Sequence, residues 1–390
     1  MTIVLTGGGS GGHITPILAV AAELKKQLPD ARLVYIGQRG DRLSDIPAAD
    51  PSIDAVYSVS AGKFRRYKSD GIKQVFDLKT QALNVRDLFR MLAGIWQSFW
   101  LLRRLRPELI FTRGGFVSVP VAVAGRLSGI PYITHDSDAL PSLANRLIAS
   151  GARLHAVALP AHTYPYPQDK IVVTGVPVSQ KYQPVTAANQ AEAREKLKIA
   201  RDARVLLVTG GGNGAAALNH HIVTASKELF TAVPALFILH VAGRDLADTT
   251  AADYDNLLTA EQRQKVRVVG FTTDLHLFSE AADVVVARGG ATNLAEFAIQ
   301  GRACLIIPSP QLHWNVVNAR VLAEQGAVEM LSEKKVAEQG GALVDALSAL
   351  LNNADARQKL AANITQFGQP TAAKNLADVL IFLVRESAKQ

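Results

Sequence analysis

Short apolar runs alternate along the chain with stretches in which apolar residues recur at helical spacing. The first run, Ile3-Val4-Leu5, is followed by such a helical pattern between residues 14 and 28. This alternation is typical of an α/β fold with a largely parallel sheet. The second half restarts in the same way at Val205-Leu206-Leu207-Val208-Thr209, so the sequence predicts two similar doubly wound domains in tandem.

The remaining predicted elements are short. Further strands are expected at 33–36, 55–59, 109–112, 132–134, 237–241, 266–269, 284–286 and 305–307. Further helices are expected at about 117–127, 142–148 and 372–384. A polar stretch between the two halves places the interdomain linker at 176–190.

Four glycine-rich turns each follow a predicted strand and open a helical pattern. They lie at 7–12, 113–116, 210–214 and 288–290. A strand, a glycine turn and a helix together aim backbone N–H groups and a helix N-terminus at an anion. Glycine suits such a turn because it reaches positive φ and lets a ligand approach the backbone closely. The sequence therefore predicts phosphate-binding turns at the carboxyl ends of strands.

The first turn also fits a dinucleotide-binding fingerprint, Gly7-x-Gly9-x-x-Gly12. A nicotinamide-binding unit needs an acidic residue at the end of its second strand to hold the ribose hydroxyls. Here Gly37-Gln38-Arg39 stands at that place, and Asp41 comes a few residues late. A nicotinamide-dependent oxidoreductase is therefore the weaker interpretation of this turn.

Three titratable side chains stand where a general base can act. His13 lies in the first turn of the helix behind the first glycine turn, where it can serve as a base or donate to a phosphate. Asp136 and Asp138 follow the predicted strand 132–134, and Asp138 can alternatively cap the helix that begins near Ser142. The sequence leaves the choice among the three open.

Two charged side chains accompany the last glycine turn. Glu296 lies about one turn into the following helix, where its carboxylate can accept two hydrogen bonds from a ribose diol. It can alternatively be an acidic residue that the helix dipole stabilises. Arg288 is either a partner for phosphate or a surface arginine.

Composition excludes two classes of site. The only cysteine, Cys304, lies in the apolar run Ala303-Cys304-Leu305. A disulfide within one chain and a thiolate metal cage are therefore both excluded. No cluster of histidines and carboxylates has the spacing of metal ligands, so we expect no metal and no other cofactor.

The most basic part of the chain, 63–106, also carries large apolar side chains. On a helix, one stripe combines aliphatic, aromatic and methionine residues, and arginines close both of its ends. Its members are Leu88, Leu92, Ile95, Phe99 and Leu102, widened by Met91, Trp96 and Trp100. The stripe indicates either a large core helix with a solvated basic end or an interfacial helix on an anionic membrane.

The net charge of +8 suits an anionic partner. No named nucleic-acid-binding motif lies in the basic segment, so we expect an anionic membrane surface and no nucleic acid as partner. No uncharged apolar stretch approaches the roughly 18–20 residues that span a bilayer. The candidate membrane contacts are Phe64, Trp96, Phe99 and Trp100.

Taken in order, the motifs resemble those of a known enzyme family. The matching stretches are Gly8-Gly9-Ser10-Gly11-Gly12-His13 with Pro16, Gly114-Gly115-Phe116-Val117-Ser118, Gly129-Ile130-Pro131, His135-Asp136, Gly210-Gly211-x-x-Gly214-Ala215, and Arg288-Gly289-Gly290-Ala291 with Glu296. Together they resemble the peptidoglycan N-acetylglucosaminyltransferases of glycosyltransferase family 28. The resemblance covers nearly the whole chain.

The resemblance implies a GT-B fold, in which two doubly wound Rossmann-like domains face a cleft and the C-terminal helix crosses back to the N-terminal domain. It implies an acceptor- and membrane-binding domain of 1–175 with 371–390, the linker 176–190, and a UDP-sugar-binding domain of 191–370. The implied enzyme is peripheral to the cytoplasmic face of the cell membrane.

The resemblance also implies an inverting, metal-independent transfer. N-acetylglucosamine would pass from UDP-N-acetylglucosamine to the C4 hydroxyl of N-acetylmuramoyl-pentapeptide on undecaprenyl diphosphate. The implied acceptor-diphosphate residues are Gly8, Gly9, Ser10, Gly11, Gly12, Gly114 and Gly115. The implied UDP-sugar residues are Gly211, Gly212, Asn213, Gly214, Phe271, Thr272, Arg288, Gly290, Ala291, Thr292, Glu296 and Asn315.

The chain departs from the family's pattern at four places. Asp138 replaces an asparagine, Ser179 an arginine expected near the donor phosphates, and Gly212 a serine. Trp314-Asn315 stands where the family has a sugar-reading glutamine pair. These differences keep two alternatives open, a UDP-sugar transferase acting on another lipid such as diacylglycerol, and a non-catalytic subunit that binds a lipid-linked or nucleotide-linked sugar.

Overall fold

The chain divides into two units by the proximity of its Cα atoms. Unit 1 comprises Met1–Ser179 with Thr371–Gln390, and unit 2 comprises Gln180–Pro370. The computed structural model describes residues 1–8, 11–41, 43–62, 78–212 and 214–387. Of residues 11–13, 78–80, 82 and 387 it describes the backbone alone.

Unit 1 is built on one parallel sheet. Its strands are β1 (Thr2–Thr6), β2 (Arg32–Gln38), β3 (Ala55–Val59), β4 (Leu109–Thr112), β5 (Tyr132–Asp136), β6 (Leu154–Val157) and β7 (Ile171–Val173). They lie side by side in the order β3-β2-β1-β4-β5-β6-β7. β6 is absent from the prediction, because its four residues are few and include the polar His155.

Within the described residues, the helices that accompany the first part of this sheet lie between β1 and β6. They are α1 (Gly11–Gln27), α2 (Asp45–Ala48), α3 (Leu78–Leu105), α4 (Ser118–Leu127) and α5 (Leu143–Ile148). The first turn of α5 is capped by Ser142, whose hydroxyl accepts from the N–H of Asn145 at 3.1 Å. The alternative prediction that Asp138 caps this helix is therefore wrong.

Unit 2 is built on a second parallel sheet. Its strands are β8 (Arg204–Thr209), β9 (Leu236–Val241), β10 (Val266–Val269), β11 (Val284–Ala287), β12 (Ala303–Ile306) and β13 (Glu329–Met330), in the order β10-β9-β8-β11-β12-β13. Its helices are α6 (Ala187–Lys196), α7 (Ala216–Ala232), α8 (Ala247–Leu257), α9 (Ala260–Gln264), α10 (Leu275–Ala281), α11 (Ala291–Gln300), α12 (His313–Glu324), α13 (Glu333–Glu338), α14 (Ala342–Asn352) and α15 (Ala354–Ile364).

The last helix, α16 (Ala372–Ser387), belongs to unit 1. Its buried residues Leu376 and Leu380 join the cluster that contains Ile17 and Leu24 of α1. The side chain of Gln27 donates to Asp378 at 2.8 Å at the edge of this contact. The expectation that the C-terminal helix returns to the N-terminal domain is confirmed.

Both sheets are covered by apolar residues on both faces. In β1, Ile3 and Leu5 pack into one cluster and Val4 into the other. In β8, Leu206 and Val208 face one side, whereas Val205 and Leu207 face the opposite side. Strands buried on both faces carry continuous apolar runs, which is why these runs were visible in the sequence.

The predicted apolar stripe of α3 divides between the core and the surface. Leu88 and Leu92 are exposed, at 41% and 52% of their surface, whereas Phe99 is half-buried and Leu102 is fully buried. Asp87 and Ser98 are also buried, and a Cβ atom at Gly94 would overlap with the carbonyl oxygen of Ser60. The helix backbone therefore approaches its neighbours closely at Gly94, and part of the stripe is left exposed. Among the described helices, none is long and apolar enough to span a membrane.

Candidate active site

The glycine turns lie at the place where an open parallel sheet binds ligands. In unit 1, β1 lies between β2 and β4. The chain adds β2 and β3 on one side of β1 and then adds β4 to β7 on the other side, so the strand order reverses between β1 and β4. In unit 2, β8 and β11 form the equivalent pair. The turns 7–12 and 113–116 follow β1 and β4, and the turns 210–214 and 288–290 follow β8 and β11. Each unit thus has two glycine turns at the switch point of its sheet, at the carboxyl ends of the strands.

The two glycine turns of unit 1 touch one another. A Cβ atom on Gly115 would lie 2.8 Å from the carbonyl oxygen of Gly8, and Gly114 and Gly115 have φ values of +89° and +82°. Only glycine fits here without strain. Gly11 and Gly12 begin α1 and His13 lies in its first turn, whereas Gly9, Ser10 and the side chain of His13 are outside the described residues.

Asp136 is buried, with 3% of its surface exposed, and both of its carboxylate oxygens are already used. Oδ1 accepts from the N–H of Ser142 at 3.1 Å and from the amide of Asn145 at 2.9 Å. Oδ2 accepts from the hydroxyl of Tyr166 at 2.7 Å. Burial raises the pKa of this carboxyl, although these hydrogen bonds oppose the rise. The geometry therefore favours a positioning role for Asp136 over the predicted role of base.

The residues beside Asp136 form a buried polar group under the second glycine turn. Arg113 is buried and interacts electrostatically with Asp136 and Asp138. Asp138 is half-buried and remains a candidate for the general base. Burial lowers the pKa of His135 to about 3, so its ring is neutral, and Nε2 lies 2.9 Å from the carbonyl oxygen of Gly175. His135 therefore anchors the backbone that follows β7.

In unit 2, the turn 210–214 is shaped by two glycines with positive φ. Gly211 has φ +86° and Gly214 has φ +73°. A Cβ atom on Gly214 would overlap with the carbonyl oxygen of Ala242, so this turn packs against the loop after β9. The Cα of Gly212 faces open space, which leaves room beside the backbone, and Asn213 is outside the described residues.

Glu296 is almost fully buried in α11, with 6% of its surface exposed. Its Oε2 accepts from the amide of Asn293 at 3.1 Å, and the Oδ1 atom of Asn293 lies 3.8 Å from where a Cβ on Gly211 would stand. Burial raises the pKa of Glu296 to about 8, and the hydrogen bond from Asn293 opposes the rise. The carboxyl oxygens of Glu296 have further lone pairs that can accept from hydroxyl groups.

Arg288 is neither at the surface nor open to a phosphate. Its guanidinium donates to both oxygens of Glu333, at 3.1 and 3.2 Å, and to the carbonyl oxygen of Ile307 at 2.9 Å. Its side chain is 11% exposed. This arrangement ties β11, β12 and α13 together, so it favours a role in holding the glycine turn rather than the predicted contact with phosphate.

Gly290 directly precedes the first residue of α11. A Cβ atom added to Gly290 would have no other atom within 4 Å, so the space beside this backbone is open. Ala291 and Thr292 open this helix and are half-buried. A Cβ atom at Gly289 would overlap with the backbone of Asn315, so the start of α12 adjoins the turn. Asn315 is buried and the neighbouring Trp314 is 45% exposed. The structure therefore brings Gly290, Ala291, Thr292 and Asn315 together.

An exposed aromatic ring lies at the carboxyl end of β10. Phe271 is 45% exposed, and the guanidinium carbon of Arg244 stands 4.3 Å from the centre of its ring. The hydroxyl of the next residue, Thr272, accepts from the N–H of Asp274 at 2.9 Å and fixes the turn. Phe271 and Arg244 together form a flat platform beside the loop that packs on Gly214.

Several polar residues of these sites are absent from the sequence-based set, among them Asn145, Tyr166, Arg244, Asn293 and Glu333. Asn293 has a signal in the sequence, because it lies three residues before Glu296 on the same helix. The others approach their partners through the tertiary fold. Within the described part of the chain, no group of three or more histidine, cysteine, aspartate and glutamate side chains is arranged to hold a metal ion.

Both halves of the chain match models of one protein family. Residues 3–156 match the glycosyltransferase family 28 N-terminal domain, and residues 205–376 match the glycosyltransferase family 28 C-terminal domain. A relative from Bacillus thuringiensis, named UDP-N-acetylglucosamine–N-acetylmuramyl-(pentapeptide) pyrophosphoryl-undecaprenol N-acetylglucosamine transferase 2, is 30% identical over 99% of this chain and 100% of its own. A transferase of the same name from Natranaerobius thermophilus is 27% identical over 98% of this chain and 100% of its own.

Solved structures with the same fold include two sugar-nucleotide enzymes. The crystal structure of Acinetobacter baumannii MurG matches with a TM-score of 0.72 and 23% identity, over 97% of this chain and 98% of that one. The UDP-GlcNAc 2-epimerase of Neisseria meningitidis, bound to UDP-GlcNAc, matches with a TM-score of 0.65 and 14% identity, over 98% and 100% of the two chains. At these identities the structural likeness establishes the fold alone.

Proposed function

The chain belongs to glycosyltransferase family 28, and we propose that it transfers N-acetylglucosamine from UDP-N-acetylglucosamine to a lipid-linked muramoyl sugar. The acceptor is the C4 hydroxyl of N-acetylmuramoyl-pentapeptide on undecaprenyl diphosphate, and the transfer inverts the anomeric carbon. The observation that carries this proposal is the end-to-end match to relatives whose names give this donor sugar and this acceptor.

We assign the donor to unit 2. Backbone N–H groups of the turn 210–214 and the N-terminus of α11 bind the diphosphate, and Glu296 accepts hydrogen bonds from the ribose hydroxyls. The platform of Phe271 and Arg244 lies where a nucleobase can stack. During transfer, negative charge develops on the departing diphosphate, and N–H donors fixed in advance stabilise that charge.

We assign the acceptor to unit 1. The touching turns after β1 and β4 bind the acceptor's diphosphate with their backbone N–H groups. The proton of the attacking hydroxyl passes to a base, for which Asp138 and His13 are the candidates. Asp136 holds the segment that carries Asp138, because it binds both Ser142 and Tyr166.

We propose further that this transfer needs no metal ion, because backbone N–H groups and the N-termini of helices stabilise the negative charge on the departing diphosphate. Turnover in the presence of a chelator such as EDTA should equal turnover in its absence. A loss of activity that is restored by added Mg²⁺ or Mn²⁺ would overturn this part of the proposal.

The test of the function is a panel of donors and acceptors with the purified protein. Calorimetric titration should detect binding of UDP-N-acetylglucosamine, and labelled sugar should appear on the muramoyl-diphosphate lipid but not on diacylglycerol. Transfer to diacylglycerol alone would favour a different lipid glycosyltransferase. Donor binding without transfer to any acceptor would favour a non-catalytic sugar-nucleotide-binding subunit.

The acceptor of this reaction resides in a membrane, and α3 presents a surface suited to one. Its exposed apolar side chains lie one helical turn apart along one face: Val85, Leu88, Phe89, Leu92, Trp96 and Trp100. Trp96 and Trp100 pack edge to face at 5.6 Å, and Arg103 lies over the neighbouring ring of Phe99 at 4.9 Å. Aromatic rings beside arginines are typical of the headgroup region of anionic membranes.

We therefore propose that α3 docks the protein peripherally on the cytoplasmic face of the cell membrane, where an undecaprenyl-linked acceptor is within reach. Trp96 and Trp100 are more than half exposed and lead this contact, whereas Phe99 is only half-buried and lies at its border. Phe64 is outside the described residues, so its contact with the membrane stays a prediction. Nucleic acid has no part in the proposal.

A further inference from the structure

Glu333 is a largely buried carboxylate that pairs with the arginine of the last glycine turn. It is the first residue of α13, and its side chain is 12% exposed. Its Oε1 accepts from Nη2 of Arg288 at 3.1 Å, and its Oε2 accepts from Nη1 of Arg288 at 3.2 Å. Two such parallel hydrogen bonds fix both the distance and the orientation of the guanidinium.

The same carboxylate also adjoins the helix behind the other glycine turn of unit 2. Nε2 of His221, in the second turn of α7, lies 3.9 Å from Oε1 of Glu333. The helix α7 begins at Ala216, two residues after the turn 210–214. Burial lowers the pKa of His221, so its ring is neutral at pH 7 and the charge of Glu333 is balanced by Arg288. Glu333 thus adjoins elements of both glycine turns.

A further contact ties Arg288 to the sheet. Its Nη1 donates at 2.9 Å to the carbonyl oxygen of Ile307, the residue that follows β12. If this guanidinium turned toward a ligand, it would leave a buried carboxylate without its partner, which is far more costly than opening an exposed ion pair. Glu333 therefore holds Arg288 in place, and Arg288 holds the first residue of the turn 288–290.

We propose that Glu333 is a positioning residue for the donor's diphosphate, because its single carboxylate fixes the turn 288–290 beside α7. This inference rests on the proposed function, in which N–H groups of the turn 210–214 and the N-terminus of α11 bind that diphosphate. Such donors stabilise a departing diphosphate best when their directions are fixed before the reaction. Glu333 acts through Arg288 and makes no contact of its own with the diphosphate.

The variant Glu333→Gln removes the charge and keeps the size of the side chain. Asp283→Asn is a matched control at the other end of β11. Asp283 directly precedes this strand and pairs with Arg194 at 2.8 Å, and these two side chains are 12% and 8% exposed. Each variant thus weakens one buried arginine–carboxylate pair beside the same strand, but only the pair of Glu333 lies at the end that carries the glycine turn.

The experiment compares the affinities of UDP and uridine for the wild type and both variants. Calorimetry measures UDP, NMR titration measures uridine, and urea denaturation verifies that the variants are folded. Glu333→Gln should weaken UDP binding by roughly tenfold and change uridine binding by less than about twofold, because only UDP carries the diphosphate. Asp283→Asn should keep the wild-type ratio of the two affinities.

Any result other than a selective loss of UDP affinity overturns the inference. Tighter binding of UDP to Glu333→Gln would mean that the carboxylate competes with the phosphates for Arg288. An unchanged ratio, or an equal loss for UDP and uridine, would mean that the ion pair serves stability alone. Failure of the wild type to bind UDP would instead contradict the proposed function itself.

Glu333→Asp provides the same test if Glu333→Gln does not fold. This variant keeps the negative charge and shortens the side chain by one methylene group, so the pair with Arg288 is lengthened and not abolished. UDP binding should weaken by a smaller factor, about two- to fivefold, while uridine binding stays the same. Equal losses for both ligands in a folded Glu333→Asp protein would also count against a role in positioning the diphosphate.

Discussion

At the scale of residues, the carboxylates of this chain divide by the number of hydrogen bonds they already accept. Asp136 has donors on both oxygens, so a substrate hydroxyl would have to displace one of them. Glu296 accepts from Asn293 on one oxygen and has further lone pairs for a ligand. The sequence shows an acidic residue at each place, but only the tertiary contacts distinguish a residue that holds the site from one that binds a ligand.

We predict that Asp136→Asn has a larger effect on the free energy of unfolding than on the rate of sugar transfer. Where the new NH2 group takes the place of Oδ1, it faces the donors of Ser142 and Asn145, and these buried groups are left unpaired at a cost of about 1–3 kcal/mol. Where it takes the place of Oδ2, the hydroxyl of Tyr166 must turn from donating to accepting. Urea denaturation should therefore show a lower free energy of unfolding. Asp138→Asn, at a half-buried position, is the control and should lower turnover with little change in stability. A stable Asp136→Asn enzyme without turnover would return Asp136 to the role of base.

The residue contacts also mark the limit of prediction from sequence. Arg288 and Glu333 are 45 positions apart, and nothing in the local pattern at either position announces their pairing. The glycine turns, in contrast, are predictable, because the positive φ values and close backbone approaches that demand glycine leave a local signal.

At the scale of elements, α3 illustrates how one apolar stripe can divide between a core and a surface. The sequence alone leaves both a core helix and an interfacial helix open for this stripe. The structure buries Leu102 and the side that carries Gly94 and Ser98, and it leaves much of the remaining apolar face exposed. An exposed apolar face of this size on a helix calls for a partner.

We predict that Trp96→Glu combined with Trp100→Glu weakens binding to vesicles that contain anionic lipids. Each tryptophan that leaves the membrane loses its apolar burial, so the partition coefficient should fall by roughly tenfold or more. Phe382→Glu is the matched control, because Phe382 is a 58% exposed aromatic residue on α16 of the same unit. Vesicle sedimentation measures the effect and circular dichroism verifies the fold. Equal binding by the folded double variant and the wild type would contradict docking through α3.

At the scale of the whole molecule, the fold followed from the order of apolar runs and glycine turns. The two halves open alike, each sheet has its switch point between the strands that precede its glycine turns, and both halves match family 28 domains. What the sequence could not supply is the set of long-range polar contacts that fix Arg288 and Asp136 in place. These contacts depend on the sheet order and not on local spacing.

The buried histidines predict how the stability of the molecule depends on pH. Burial lowers the pKa of His135 and His240 to about 3 and that of His155 to about 4. The unfolded chain binds protons on these rings near pH 6.5, whereas the folded chain does not, so stability falls as the pH drops below about 6.5. Burial raises the pKa values of Glu296, Asp136, Glu280 and Glu329, and these carboxyls act in the opposite direction. The lowered pKa values of His221 and His276 add to the effect of the buried histidines. Urea denaturation should therefore give a smaller free energy of unfolding at pH 5 than at pH 7, and equal or greater stability at pH 5 would contradict this reasoning.

The most direct test of the central claim is the structure of the product. Purified protein, UDP-N-acetylglucosamine and the undecaprenyl-linked muramoyl-pentapeptide are incubated in vesicles, and the glycolipid formed is analysed by mass spectrometry and NMR. We predict one added N-acetylglucosamine, joined to the C4 oxygen of the muramoyl sugar with inverted anomeric configuration, and UDP released in equal amount. A retained configuration, a different acceptor atom, or UDP release without a glycolipid product would contradict the account.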